Sequence, residues 1–508
     1  MDLVQPLFGP FVDLDLSYGL LNIQVQEPIN VNNTAWYDID SLGIDLTQVY
    51  LSQTTLSNDI PVGGGAYGQG VFLPDTAGTT LHYKRWGTQN MTVLLTEEQR
   101  IACILRSGTP GGDNTPLVLD VYALAVRDLA GNPNVGQTNL PIRESADVVP
   151  PQVLRAVLHL SNGTLVVTLG EISDALPANN VALQKLTLVN TLGSVDPVET
   201  SLNIALSGAT VTEEHSLDIT LTLTQEQRHR AIEISNTAGG DGRAMVLSAE
   251  VGAFVDIGVN PSVVNLNVTV TEHPDTVPPV VSLVTLNYGT GTLVVTFGTE
   301  IMDLTGAVDV QLRMTRVFLS DDPEDRAIAL VGATPTEVDG VSLTLVLTET
   351  QRIAALVSSG TPGGDGVAVT LDSDVGFTRD IAQNDLPAHA NVSVVETPDT
   401  LIPTISSGLL DLNDGVLRLY TSETIHANPA TLVDLTQLIL ENTVGDQHLP
   451  LYDVHGVHGR GNATVSPAAD AVNVTIQLTL AQRAEAIRNS GTVRRNCGVA
   501  ELQSGGSQ

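Results

Sequence analysis

Cysteine, cationic side chains and aromatics are all scarce in this 508-residue chain, and it has no long apolar run. The two cysteines, Cys103 and Cys497, cannot make a disulfide framework. Aromatics at 4% leave little material for one large enzyme core and few platforms for stacking sugars. No stretch approaches the ~18 apolar residues of a membrane helix. The opening "MDLVQPLFGP" lacks the basic and apolar regions of a signal peptide. Lys and Arg number 22 against 57 Asp and Glu, a formal net charge of −35. The acid content is ordinary; the cations are missing. Such a surface repels nucleic acid and anionic lipid and suits divalent cations or basic partners. No nucleic-acid partner and no direct membrane insertion are expected.

What is present is 42% hydrophobic residues with 45 Gly and 26 Pro, a balance that suits many small β units with many turns. One motif recurs. "LTEEQRIACILRSGTPGGD" at 95–113 returns as "LTQEQRHRAIEISNTAGGD" at 223–241 and "LTETQRIAALVSSGTPGGD" at 347–365. A worn copy, "LTLAQRAEAIRNSGTVRRN", lies at 478–496. The motif arginines Arg100, Arg228, Arg352 and Arg483 are 128, 124 and 131 residues apart, a domain-sized repeat. A phosphate-binding loop runs strand, glycines, helix, with a Lys. Here the helix comes first and Lys is absent, so the glycines read as a turn.

Thr96, Thr224, Thr348 and Thr479 each stand three residues before a Gln, the spacing of a capping box. A small column (Cys103, Ala231, Ala355, Ala486) and a large apolar one (Ile104, Ile232, Leu356, Ile487) follow. These predict a two-turn helix with one face buried and glycine ending it. Buried in that column, Cys103 reads as an inert thiol. Strand-like runs such as "GTLVVTLGE" from Gly163 and "GTLVVTFGTE" from Gly291 end in a carboxylate, at Glu27, Glu171, Glu300 and Glu423.

Acids keep a strict beat after the glycines. Asp113, Asp241 and Asp365 are each followed 15 residues later by Asp128, Asp256 and Asp380, then by Asn132, Asn260 and Asn384. Asp147, Asp275 and Asp399 close each unit, with Glu144, Glu272 and Glu396 three residues earlier. Calcium at the unit junctions is expected from this supply of oxygens. The first junction would use Asp128, Asn132, Glu144, Asp147 and Glu171. The second would use Asp256, Asn260, Glu272, Asp275 and Glu300. The third would use Asp380, Asn384, Glu396, Asp399 and Glu423. The competing reading is that Asp and Asn serve turns by bonding their own backbone.

Regular short strands with one small helix per unit and no βα alternation give an all-β fold of tandem Ig-like β-sandwiches. The repeats span 1–147 (with a Gly-rich insertion), 148–275, 276–399 and 400–508. The pattern resembles bacterial Ig-like repeats of surface-layer and adhesin type. The likeness rests on Asp-x-x-Pro-Pro at Asp147 and Asp275, the strand ending in Glu171 or Glu300, and "RDLAGN" at 127–132. It covers nearly the whole chain with short motifs. The helical insert departs from those modules and resembles long surface proteins of algae and other protists. The fourth unit lacks the Asp-x-Ala-Gly-Asn exit. It is expected to be incomplete or to borrow a strand, with the sequence part of a longer array.

Catalytic signatures are missing: there is no Gly-x-Ser-x-Gly, His-Glu-x-x-His or Cys-x-x-Cys. His448, Asp453, His455 and His458 carry zinc-like spacing but sit among glycines, where a solvated turn is expected. Glycosylation sequons fall at Asn32, Asn90, Asn162, Asn267, Asn391, Asn462 and Asn473, in all four units. The expected function is a non-enzymatic extracellular structural or adhesion array, a rod-like spacer or part of a surface filament. Its partners would be other copies of itself, other surface proteins, or glycans. The alternative is an accessory Ig-like or carbohydrate-binding region of a larger secreted enzyme or lectin, with Trp36 and Trp86 the only indole platforms.

Overall fold

The computed structural model describes residues 4–29, 44–53, 59–63, 88–190, 203–304, 312–320, 326–336, 338–441, 448–452 and 459–490. The chain divides into two compact units, residues 1–278 with 380–384, and residues 279–379 with 385–508. The fold is all-β and sandwich-like, as the strand pattern predicts. Among the described residues, repeat 1 forms a seven-stranded sheet and repeats 2 and 3 each form an eight-stranded one.

Repeat 2 shows the logic. Val153–His159 and Thr164–Asp174 make an antiparallel hairpin with Leu158 opposite Leu165. Gly163 turns it at φ +70°, a conformation that favours glycine. Leu165, Val167 and Leu169 are buried while Thr164, Val166 and Thr168 are half-exposed, so period two in the sequence becomes one face in the core. The last strand, Asn265–His273, returns parallel to the first, with Val270 against Ala156. Repeats 1 and 3 close the same way, Val12 against Ile142 and Val284 against Val394. Because first and last strands are parallel, the loop leading into the last strand lies at the opening end of its own repeat.

The four α-helices among the described residues are α1 (Glu97–Leu105), α2 (Gln225–Glu233), α3 (Glu349–Val357) and α4 (Leu480–Asn489). Each carries the complete capping box on Thr96, Thr224, Thr348 or Thr479. The small column is buried in all four. The large column is buried at Ile104 and Ile232, half-buried at Leu356 and exposed at Ile487. Glycine does not end the helix, contrary to expectation. The C-caps are Arg106, Ile234, Ser358 and Ser490. In α1 the next residue, Ser107, is wholly buried and satisfies the Ile104 carbonyl with both its amide and its hydroxyl. The cap glutamines also strap each helix to the sheet. Gln227 Nε2 donates to the carbonyls of Ala205 (2.8 Å) and Ser207 (3.1 Å), and Gln351 does the same to Ala329 and Val331.

Among the described residues of repeat 4, Ile405–Asp411, Val416–Ile425, Ala471–Gln477 and Thr464–Val465 form one sheet. Ile439–Glu441 and His448–Pro450 form a separate pair.

Candidate functional site at the repeat junctions

The junctions are organised by arginine, which the sequence presented only as a landmark. Arg100 lies on the second turn of α1 and is 4% exposed. Its Nη1 donates to the Leu16 carbonyl (2.9 Å) and to Asp147 Oδ2 (2.6 Å). Glu97, one turn earlier, takes Nε and Nη2 at 2.8 and 2.7 Å. Nη2 also reaches Glu171 Oε2 of repeat 2 at 3.1 Å. Glu97 Oε1 accepts the amide of Ile172 as well, so helix, linker and next repeat meet at one guanidinium. Repeats 3 and 4 copy this set. Arg352 donates to the Tyr288 carbonyl (2.9 Å), Asp399 (2.8 Å) and Glu349, and pairs with Glu423 at 3.6 Å. Glu349 accepts the amide of Thr424. In repeat 2, Arg228 donates to the Leu160 carbonyl and to Asp275. Planar guanidinium donors suit such a convergent, buried carboxylate set.

The expected calcium groups are regrouped by the fold. Asp128 and Asn132 do not join Asp147. Their side chains bond each other at 2.7 Å, and Asn132 reaches the Val4 carbonyl at the start of repeat 1. The equivalent loop of repeat 2 comes instead: Asn260 donates to the Asp147 carbonyl at 3.2 Å, and Asp256 lies in a cluster with Asp147 and Glu171. The parallel closing strand is the cause, since it sets each exit loop at the opening of its own repeat. Asp380 holds Asn384 in the same way, and Asn384 reaches the Asp275 carbonyl at 3.4 Å. Glu300 is buried in the second unit. Glu144, Glu272 and Glu396 are staples of the post-helix turn. Glu144 accepts the amides of Gly108 (2.8 Å) and Leu117 (2.7 Å), Glu272 those of Asn236 and Met245, and Glu396 those of Gly360 and Val369.

The glycine turn has a second role. A Cβ on Gly111, which has φ +85°, would lie 1.8 Å from the Ile257 carbonyl oxygen in the exit loop of repeat 2. Gly239 stands in the same relation to Ile381, at 1.9 Å. The Ile257 side chain belongs to the hydrophobic core of repeat 1. Each turn is therefore a seat for the next repeat's exit loop. At Gly363 the nearest described atom is a Leu356 side-chain carbon at 3.9 Å.

Charge at the first junction does not balance. Glu97, Asp147, Glu171 and Asp256 face Arg100. Burial, then the charges of Asp147 and Asp256, push Glu171 up to about 8, with Arg100 offsetting only part. Burial also raises Asp256, against the bonds from Asn260. Glu97 and Glu349 behave oppositely. Burial opposes ionisation of Glu97, yet the bonds and charge of Arg100 hold it below the usual carboxylate range. Arg352 lowers Glu349 to about 2. A carboxyl whose folded pKa is raised stabilises the fold below its unfolded pKa and loses that contribution as pH climbs through the folded value. In chelator, thermal stability of the first unit is expected to fall between about pH 4.5 and 8 through Glu171. Glu171→Gln, a neutral mimic of the protonated acid, is expected to flatten that fall. A variant with the parental pH slope would refute the assignment.

Oxygen atoms of Asp147, Glu171 and Asp256 lie within 4.8 Å of one another, an all-oxygen set that fits a hard divalent cation, although Arg100 already takes one oxygen each of Asp147 and Glu171. The remaining sequence candidates are dispersed. Asn90, Asn162, Asn267, Asn391 and Asn462 are exposed and Asn473 is half-buried. Asn267 and Asn391 have φ of 59° and 56°, so backbone geometry also favours Asn there. His448 is bonded to Glu441 at 2.7 Å. Burial pushes the Cys103 thiol up to about 12, as its place in the small column predicts. Asn32, Trp36, Trp86, Asp453, His455, His458 and Cys497 lie outside the described residues.

No known protein family matches the chain, and no curated protein matches it. Solved structures that align include extracellular domains 3–5 of Drosophila OTK, at 9% identity and TM-score 0.17, covering 66% of this chain and 91% of that one. The sialic acid binding region of a Streptococcus sanguinis SK1 adhesin aligns at 11% identity and TM-score 0.16, covering 83% and 93%. The S-layer protein rSbsC aligns at 12% identity and TM-score 0.15, covering 94% of this chain and 63% of that one. At these scores the likenesses carry no argument about this chain.

Proposed function

We propose that this chain is a non-enzymatic extracellular structural or adhesion protein, an array of sandwich-like repeats whose task is to hold a fixed reach. The observation that carries this reading is the repeated junction. Arg100 and Arg352 make the same ties to helix, linker and next repeat in two separate places. A buried guanidinium with four kinds of partner restrains orientation between neighbours, which a spacer needs and a flexible string does not. Glycans on the exposed sequons and copies of the chain or other surface proteins as partners belong to the same reading.

Calcium is part of the proposal. Asp147, Glu171 and Asp256 would hold it, neutralising the carboxylate charge that Arg100 leaves unmatched. At about ten times a millimolar-range Kd, such binding adds roughly 1.4 kcal/mol. Scattering on the whole chain tests the spacer reading. The radius of gyration is expected well above ~23 Å, the value for a compact globule of this length. A value near that figure would reject the spacer. Millimolar calcium is expected to restore at pH 8 the stability lost between about pH 4.5 and 8, and Asp256→Asn to abolish that rescue.

A further inference from the structure

The rung that closes repeat 2 departs from its counterparts on both strands at once. The last residues of its first and closing strands stand in register, His159 beside His273. The same rung is Asp15 with Ser145 in repeat 1 and Asn287 with Thr397 in repeat 3. There the first-strand residue serves its own hairpin turn. Asp15 Oδ1 accepts the Ser17 amide at 2.9 Å, and Asn287 Oδ1 accepts the Thr290 amide at 3.1 Å. In repeat 2 a different residue does that work: Asn162 Oδ1 accepts the Thr164 amide at 3.0 Å. His159 is thereby released from the turn, and a second imidazole stands beside it.

The period of two sends both side chains outward. Ala156, Leu158 and Val270 are buried in the core, so His159 and His273 lie on the outer face of the sheet. His159 is half-buried and His273 exposed. Their rings stack with centroids 4.5 Å apart and planes 4° from parallel. Among the described residues neither ring has a hydrogen-bond or ion-pair partner; each faces the other imidazole. The backbone beneath them is tied from both sides. The Leu160 amide donates to the His273 carbonyl at 3.0 Å, and the Gly163 amide to the His159 carbonyl at 2.9 Å. Ser161 Oγ donates to the Pro274 carbonyl at 3.3 Å and accepts the Thr276 amide at 3.1 Å.

We propose that His159 and His273 form a two-histidine clip for a late first-row divalent metal ion, zinc or copper(II), with water completing its shell. Each neutral imidazole presents one lone pair. An ion about 2.0–2.1 Å from each nitrogen needs the two nitrogens roughly 3–4 Å apart. Rings 4.5 Å apart on a fixed backbone reach that span by a small turn about their side-chain torsions. Imidazole suits zinc and copper, whereas calcium takes oxygen, so the clip is separate from the set at Asp147, Glu171 and Asp256. It would join the first strand of repeat 2 to the closing strand. Two residues beyond His273 that strand delivers Asp275 to Arg228, so the clip steadies the strand that carries the junction acid.

The test uses the full 508-residue chain and the double variant His159→Asn with His273→Thr, which installs the pair that repeat 3 carries at this rung. Without metal the two proteins are expected to melt within about 1–2 °C of each other, as exposed substitutions do. Calorimetry with zinc is expected to show one ion fewer on the variant, and each single substitution to weaken that site more than about tenfold. His426→Asn, an exposed histidine of repeat 4, is expected to leave the site unchanged. Zinc a hundredfold above its Kd is expected to raise the melting temperature of the first unit by about 5 °C more in the parent than in the variant. Hydrogen exchange at the Leu160 amide is expected to slow with zinc in the parent alone. The copper(II) electron paramagnetic resonance spectrum is expected to lose a species with two imidazole nitrogens in the variant. Equal zinc stoichiometry in the two proteins overturns the proposal. So does a copper(II) spectrum that is the same in both, or a site that survives both single substitutions at full affinity.

Discussion

Arg100→Leu is expected to cost the first unit about 3–5 kcal/mol, the usual penalty for removing one partner of a buried ion pair. Asp147 and Glu171 are 3% and 7% exposed and would lose their counter-ion inside a low-dielectric junction. In a unit of this size the melting temperature should fall by roughly 10 °C. The asymmetry is the diagnostic. Arg100→Leu combined with Asp147→Asn and Glu171→Gln is expected to recover much of the loss, because the deficit comes from stranded charge rather than from a missing bond. Arg483→Leu, at the half-buried fourth copy with one carbonyl partner among the described residues, is expected to change the second unit by under ~1 kcal/mol. Equal losses at Arg100 and Arg483 would reject the buried lock as the source of junction stability. Thermal unfolding of the three variants beside the parent chain decides it.

Ile257→Asp should do its damage in the wrong repeat. Ile257 belongs by sequence to repeat 2, yet it is 3% exposed within the core of repeat 1. An unpaired carboxylate there costs several kcal/mol. Hydrogen exchange is expected to accelerate across repeat 1, at Leu14, Leu21 and Ile104, more than at Leu165 or Val167 of repeat 2. The mechanism is loss of a lid that the neighbour provides. If exchange rises first in repeat 2, the exit loop serves its own repeat and the interlock has no energetic weight. Gly111→Ala attacks the same contact from the other side, by placing a methyl against the Ile257 carbonyl.

Much of this was legible beforehand. Thr96 and Gln99 announced the cap, Cys103 and Ile104 the buried face, and the alternation from Thr164 to Leu169 the strand. All three signals are local, with periods and spacings that backbone geometry imposes. The site was legible in part. The acids at Asp147, Asp256 and Glu171 do converge, but their common partner is Arg100. A signal for it existed in the constant interval of 47 residues from Arg100, Arg228 and Arg352 to Asp147, Asp275 and Asp399. Read locally, that signal is weak, because arginine is so rarely buried that a solvated helix face is its natural place. The grouping of Asp128 with Asp147 failed for a different reason. Proximity along the chain stood in for proximity in space, and only the parallel direction of the closing strand reveals that Asp256 is the true neighbour. No local pattern encodes that direction.

The seating of Ile257 and Ile381 in the glycine turns of the preceding repeats separates two things that a tandem gene usually unites. What is copied by duplication is a segment running from one proline-marked boundary to the next. What melts as a block begins and ends elsewhere, because each segment lends a piece of itself backward. A duplication event that inserts one more segment therefore creates no loose ends, since the newcomer closes its predecessor and is closed by its successor. A single segment cut out at the same boundaries and studied alone keeps an uncovered flank and a stray hook, so the edges of the copied unit are not the edges of a self-sufficient one, a consequence of two glycines that cannot carry a side chain.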